Sequence, residues 1–311
     1  MKNRRQKDRK GEWGVNDMNI VGIDIGGTNF RIGLVNETGT LLKFEKVPVG
    51  TVFQSDQVLF SLAETIRSFC GEMAYDAVAI GFPATLDVAR EKVVQAPNIP
   101  FMEDLPVKEF LSTELMVPVI AEKDVTFALC YDMEKYQIPE KGVVCGIYFG
   151  TGIGNAISID GKPFIGTHGT AGELGHIPVV DCDRLCGCGN VGCLEMIAGG
   201  RALVEIRQEH YPEASMSEIF ARHSEDVVIK EFVDSMAVAV ATEVNILDPS
   251  YVLLGGGVLN NEGFPKEFFS ERIRAKVRKP LPLKELNLVF TEDEREKCVL
   301  GAASYVRKIM L

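Results

Sequence analysis

Between residues 175 and 193 the chain runs GHIPVVDCDRLCGCGNVGC, which sets His176, Cys186, Cys188 and Cys193 among four glycines. One imidazole and three thiolates make a complete ligand set for tetrahedral zinc, and glycines let a loop turn tightly enough for all four to converge. Four protein ligands leave no position for water, so such a zinc is structural. Cys182 is a spare sulfur in the same stretch and a competing ligand. The other cysteines, Cys70, Cys130, Cys145 and Cys298, are scattered. Clustering beside a histidine, with no secretion signal ahead of it, reads as metal and not as disulfide.

A second group of residues suits phosphate. Asp24-Ile25-Gly26-Gly27-Thr28-Asn29 follows an apolar run, and Gly150-Thr151-Gly152-Ile153-Gly154 follows another. Glycine turns let backbone N–H groups come close to phosphate oxygens, and a neighbouring hydroxyl adds a donor. An aspartate at a strand end can hold magnesium, usually through water. No Gly-Lys-Ser/Thr follows either turn, so neither is a Walker loop. Each alone is equally an ordinary hairpin turn. Two of them could clamp a triphosphate from both sides. A third glycine run, Gly255-Gly256-Gly257, ends Leu253-Leu254 and precedes Val258. It offers a flat backbone surface for adenosine, with a helix expected just beyond. Glu122-Lys123-Asp124 ends another apolar run. A carboxylate there can take the proton of a hydroxyl that attacks a phosphate, or simply cap a helix.

The elements that must position these residues follow from periodicity. VGIDIGGT at 21–28 and CGIYFGTG at 145–152 are matching strand-and-turn segments, each followed by a second apolar run (Arg31–Val35 and Asn155–Ile159). Both read as β-hairpins, one per domain. Asp56–Cys70 has helical spacing, Ala77–Phe82 and Val117–Ala121 are short buried strands, and Val125–Tyr131 begins a helix. Phe232–Leu247 is a long apolar helix, Tyr251–Leu254 a strand and Cys298–Ile309 a closing helix. Strands alternating with helices make the class α/β. The division expected is a leader at 1–17, a first domain at 18–120 and a second at 121–297, with 298–311 as the last helix.

Composition narrows the function. The chain has 311 residues, enough for two domains, and 46% are apolar. The formal charge is −11, although the first ten residues, MKNRRQKDRK, carry +5. An acidic body argues against nucleic acid as the ligand, and the basic leader is expected to be disordered. Met18 stands directly before the first strand and is a candidate start. No apolar run reaches the ~20 residues of a membrane span, and no signal peptide is visible, so the expected compartment is the cytoplasm.

Together these residues resemble the ROK family (repressors, open reading frames and kinases), and within it the sugar kinases. GIDIGGTN is similar to that family's first phosphate loop, GTGIG to its second and LLGGGV to its adenosine loop. GTAGELGHIPVVDCDRLCGCGNVGCLE is similar to its sugar-and-zinc signature. The resemblance implies a two-domain actin-like, hexokinase-like (ribonuclease H-like) α/β fold around a central ATP and sugar cleft, with the last helix returning to the first domain. It implies ATP with magnesium, one structural zinc, a small-molecule sugar and a homodimer. It makes Asp124 the catalytic base and places Asn98, Glu173, His176 and Glu195 on sugar hydroxyls, His176 serving the zinc through its other nitrogen. Repressors of the family need a helix-turn-helix ahead of this body, and the short leader has no apolar periodicity to build one.

Two departures from the family pattern stand out. Lys123 occupies the position of an asparagine before the catalytic aspartate, and Ala84 follows Gly81-Phe82-Pro83 where glycine is usual. With Ala96-Pro97-Asn98-Ile99-Pro100 and Arg278-Lys279-Pro280-Leu281-Pro282, they resemble the D-allose kinases most closely. The expected reaction is transfer from ATP to the 6-hydroxyl of a free aldohexose, with allose ahead of glucose or an N-acetylhexosamine.

Overall fold

The computed structural model describes residues 18–53, 56–96, 99 and 101–310. The expectations for the leader 1–17 and for Asn98 lie outside the described residues. The chain divides into two compact units, Met1–Tyr131 with Glu296–Leu311, and Asp132–Arg295.

The first unit is built on one five-stranded sheet. β1 (Ile20–Ile25) is buried along its whole length and pairs antiparallel with β2 (Asn29–Val35), which pairs with β3 (Leu41–Pro48). After α1 (Val49–Val52) comes α2 (Val58–Cys70), whose Val58, Leu59, Leu62, Ala63, Ile66 and Phe69 form one apolar face. Gly71, at φ 57°, ends it in a conformation that side chains resist. β4 (Ala77–Phe82) then lies parallel to β1. The small hairpin β5 (Thr85–Leu86) and β6 (Val93–Gln95) precedes α3 (Val107–Leu115), and β7 (Val119–Lys123) closes the sheet beside β4. The order is β3-β2-β1-β4-β7. α4 (Asp124–Lys135) starts where β7 stops.

The second unit repeats this plan. β8 (Val143–Phe149), β9 (Ile153–Ile159) and β10 (Lys162–Pro163) form an antiparallel set. A long loop leads to α5 (Glu195–Ala198), α6 (Gly200–His210), α7 (Ile219–His223) and the apolar α8 (Val227–Leu247). β11 (Tyr251–Gly255) pairs parallel with β8, and after α9 (Lys266–Lys276) β12 (Asn287–Phe290) pairs parallel with β11. The order β10-β9-β8-β11-β12 matches the first sheet strand for strand. α10 (Lys297–Met310) belongs to the first unit, where Val299, Ala302, Ala303 and Val306 pack with Ile20, Ala77 and Ala79.

Two expectations change. The break lies after Tyr131, not after residue 120. β7 extends through Glu122 and Lys123 and pairs with Gly81 and Phe82, so its end and Asp124 belong to the first unit. The strand expected at Val117–Ala121 is shifted because hydropathy alone stops it at the first charge. No helix follows Gly257 directly either. Residues 257–260 form a turn, and α9 opens only at Lys266.

Candidate functional site

In the first unit the β1–β2 hairpin carries Gly26, Gly27 and Thr28 at its tip. The Gly26 N–H donates to the Asn29 carbonyl at 2.8 Å, and Gly27 and Thr28 are exposed. At the strand end beneath the tip, Asp24 is 5% exposed. Its cross-strand neighbour is Arg31, whose Nη1 reaches Asp24 Oδ2 at 2.6 Å. No motif in the sequence marks Arg31, although the two-residue alternation of a tight hairpin brings it opposite Asp24.

Asp124 opens α4 at the end of β7. Its Oδ1 accepts the Val125 N–H at 2.8 Å. Gly81 makes room for it on the neighbouring strand, since a Cβ there would lie 3.1 Å from the Asp124 Cα. Asp124 keeps partial solvent access but is crowded by protein. Burial, and then the negative charge of Asp24, push its carboxyl up to about 7. A carboxylate that titrates there is a much better proton acceptor at neutral pH than an ordinary aspartate. Behind it Glu122, 1% exposed, is held by Arg90: Nε to Oε2 at 3.1 Å and Nη2 to Oε1 at 3.0 Å. Lys123, between them, is half-buried.

In the second unit the β8–β9 hairpin carries Gly150 and Thr151 at its tip, both exposed. This turn is braced from behind by the segment that follows the metal loop. Gly200 N–H donates to the Gly150 carbonyl at 2.9 Å and Arg201 N–H to the Thr151 carbonyl at 3.0 Å. The packing is tight: a Cβ on Gly200 would sit 2.3 Å from the Gly150 carbonyl oxygen, and one on Gly152 would require the Glu195 carboxylate, 2.2 Å away, to swing aside. Gly154 lies one residue into β9, opposite Tyr148. The third glycine run packs on the same strand end. Gly256, at φ +95°, has its backbone against Phe149, Val258 N–H donates to the Phe149 carbonyl at 3.0 Å, and Gly255 is buried. Gly257 faces open space, with nothing within 4 Å of where a Cβ would lie.

His176, Cys186, Cys188 and Cys193 converge, their ligand atoms all within 4.8 Å of one another. Cys188 and Cys193 sulfurs are 3.6 Å apart, and Cys186 Sγ is 3.5 Å from His176 Nδ1. Tetrahedral zinc with Zn–S of about 2.3 Å and Zn–N of about 2.05 Å requires edges of about 3.8 and 3.6 Å, so the set fits that ion. Cys182 is outside the cluster. With Nδ1 turned to the sulfurs, His176 directs Nε2 to Glu173 Oε2, 3.7 Å away. Glu195 Oε1 lies 3.0 Å from Cys186 Sγ and 3.9 Å from His176 Nδ1. The residues expected on the sugar within this unit, Glu173, His176 and Glu195, therefore lie together at the Cys/His cluster.

Comparisons with known proteins identify the family and the fold. The sequence profile of the ROK family matches residues 20–309. The chain belongs to the ROK family. The glucokinase of Thermotoga maritima is 30% identical over 266 residues, covering 78% of this chain and 82% of that protein. The N-acetyl-D-glucosamine kinase of Salmonella heidelberg is 30% identical over 261 residues, covering 77% and 84%. Among solved structures, the ROK glucokinase of Streptomyces griseus, in complex with glucose and AMPPNP, superposes with a TM-score of 0.77 at 26% identity, covering 93% of this chain and 99% of that one. The architecture is thus the two-domain actin-like, hexokinase-like α/β fold of ROK kinases. Among the described residues no helix is long and apolar enough to cross a membrane.

Proposed function

We propose that this ROK-family sugar kinase transfers the γ-phosphoryl group of ATP to the 6-hydroxyl of a free aldohexose, with D-allose as its preferred sugar. The observation that carries the kinase reading is Asp124, a crowded carboxylate at the end of β7, separated by β4 from the strand end of Asp24 and pushed up to about 7 by burial and then by the Asp24 charge. As the 6-hydroxyl oxygen bonds to the γ-phosphorus, the bridging oxygen leaves with ADP and the hydroxyl proton passes to Asp124. The transition state is loose, so little base strength is required, and positioning does most of the work. Gly26, Gly27, Thr28 and Asn29 bind phosphate from the first unit, and Gly150, Thr151, Gly152 and Gly154 from the second. Gly255, Gly256 and Gly257 take the adenosine. Asp24 already binds Arg31, which favours a water-borne contact to magnesium.

Asn98, Glu173, His176 and Glu195 orient the sugar. Zinc on His176, Cys186, Cys188 and Cys193 holds the loop that carries Glu173 and Glu195 and supplies no bond-making chemistry. The working assembly is a homodimer in the cytoplasm.

The allose reading rests on Lys123 and Ala84, at positions where family kinases usually have Asn and Gly. A lysine offers three donors and no acceptor, so it replaces an asparagine contact with a different one, suited to an inverted 3-hydroxyl. Glucose is the second reading, favoured by the 30% identity to a glucokinase. The test is a panel of allose, glucose, mannose and N-acetylglucosamine with ATP and magnesium, the phosphorylated carbon being assigned by NMR. Highest kcat/KM for allose with a 6-phosphate product is expected. A preference for glucose selects the second reading, and no transfer to any sugar rejects both.

A further inference from the structure

Arg90 and Glu122 have no place in the reaction as described, yet they form a buried ion pair whose carboxylate stands on β7, two residues before Asp124. Side-chain exposure is 12% for Arg90 and 2% for Glu122. Ionic pairs at such depth seldom stabilise a fold more than apolar side chains of the same size would, because both charges must be stripped of water. What a two-pronged guanidinium–carboxylate contact adds is geometry.

That geometry leads to the base in three steps. Glu122 Oε1, besides meeting Arg90, accepts the N–H of Lys123 at 2.8 Å. The carboxylate therefore fixes the peptide that begins the Lys123-Asp124 step out of β7 into α4. Arg90 is itself fixed. It stands in the left-handed region at φ 57°, where non-glycine residues are uncommon. Its N–H and its Nη1 both donate to the Asp87 carbonyl, at 3.0 and 3.1 Å. The Asp87 carboxylate in turn accepts the Glu91 and Lys92 N–H groups at 2.7 and 3.0 Å. This braced turn joins β5 to β6, the hairpin that leads on to Ala96.

We infer that Arg90 and Glu122 are positioning residues for phosphoryl transfer: the pair locks the end of β7 against the β5–β6 turn and so sets the place of the Asp124 carboxylate. The inference rests on Asp124 being the base. Displacing a reacting group by a fraction of an ångström to 1 Å costs about 10- to 100-fold in rate.

The test uses the full chain with the best sugar of the panel. Arg90→Lys keeps the charge but loses the fork, and the double variant Arg90→Met/Glu122→Met removes both charges and keeps the bulk. Melting temperature, kcat and the KM for ATP are measured for each, with Asp124→Asn alongside. Arg90→Lys should fold and lose about tenfold or more in kcat, with the KM for ATP within about twofold. The single variant Arg90→Met is measured as well, and the double variant should regain thermal stability relative to it while its kcat stays low. Wild-type kcat in Arg90→Lys, or in a double variant of restored stability, makes the pair purely structural and overturns the inference. Wild-type kcat in Asp124→Asn instead removes the base assignment on which it rests.

Discussion

The two hairpins are the same object put to different use. Aligned by their turns, Asp24 of β1 corresponds to Tyr148 of β8, and Arg31 of β2 to Asn155 of β9. In the first hairpin this pair of positions holds opposite charges 2.6 Å apart, and β4 separates their strand from the end of β7 that bears Asp124. In the second, the Tyr148 hydroxyl donates to buried Asp132 at 3.0 Å and the Asn155 amide donates to the Gly146 carbonyl at 3.1 Å. One hairpin holds a paired charge at these positions, and the other turns its polar groups inward to hold strands and helix together. The backing differs in the same sense. The first hairpin has the Asp124 carboxyl close enough for the Asp24 charge to raise it, whereas the second turn is backed by glycine backbone and by Glu195 at the edge of the Cys/His cluster. On the function proposed above, one half of the repeated scaffold would handle protons and charge and the other placement.

The largest expected effect separates those roles. Asp124→Asn should lower kcat by about 10²- to 10⁴-fold while sugar binding, measured by calorimetry, stays close to wild type. A variant that keeps wild-type kcat takes Asp124 out of the mechanism. The counterpart on the second unit is Cys188→Ser. It should lower zinc content, melting temperature and sugar affinity together, the last by about 10- to 100-fold. Elemental analysis that finds no metal in folded, active wild-type protein would end the zinc assignment.

Much of the fold is legible in the sequence, and what is not has a physical pattern. Ala77–Phe82 can be bounded from hydropathy because a strand buried on both faces is a continuous apolar run. The hairpins are legible because glycine turns punctuate them. The convergence of His176, Cys186, Cys188 and Cys193 is legible because the four residues are local in sequence. β7 seems to stop at Ala121 only because Glu122 has the character of a surface residue, and the domain break moves with it. What hides Glu122 is Arg90, a partner thirty-two residues away held in a turn by its own backbone. The bracing of Gly150 by Gly200 is invisible for the same reason: tertiary backbone contacts leave no periodicity.

A smaller effect is expected at Lys123. Lys123→Asn should shift the ratio of kcat/KM for allose over glucose toward glucose by about tenfold, the scale of a single hydrogen bond to a substrate hydroxyl. An unchanged ratio leaves a hexose kinase in which Lys123 does not select the sugar.

The finest distinction is in pH. Asp124 must be ionised to accept a proton, and with its carboxyl at about 7, kcat should fall about tenfold per pH unit below that point. Asp24 is one cause of the elevation, since its negative charge disfavours a second one. Asp24→Asn should therefore move the acid limb to lower pH, by less than about one unit, whatever it does to the maximum rate. Tyr148→Phe, at the corresponding position of the other hairpin, should leave the limb in place and cost about 1–3 kcal/mol of stability by depriving buried Asp132 of a donor. Stability itself carries the same signature with a definite sign. A carboxyl raised in the folded state holds a proton that the unfolded chain has already released between about pH 4 and 7, so the stabilising contribution is present at the acid end of that window and is lost as pH rises through it. Denaturant midpoints across that range should decline less steeply in Asp24→Asn than in wild type. Identical slopes, with an acid limb that does not move, would mean that Asp24 and Asp124 do not sense each other, and the first hairpin would lose the electrostatic character that distinguishes it from the second.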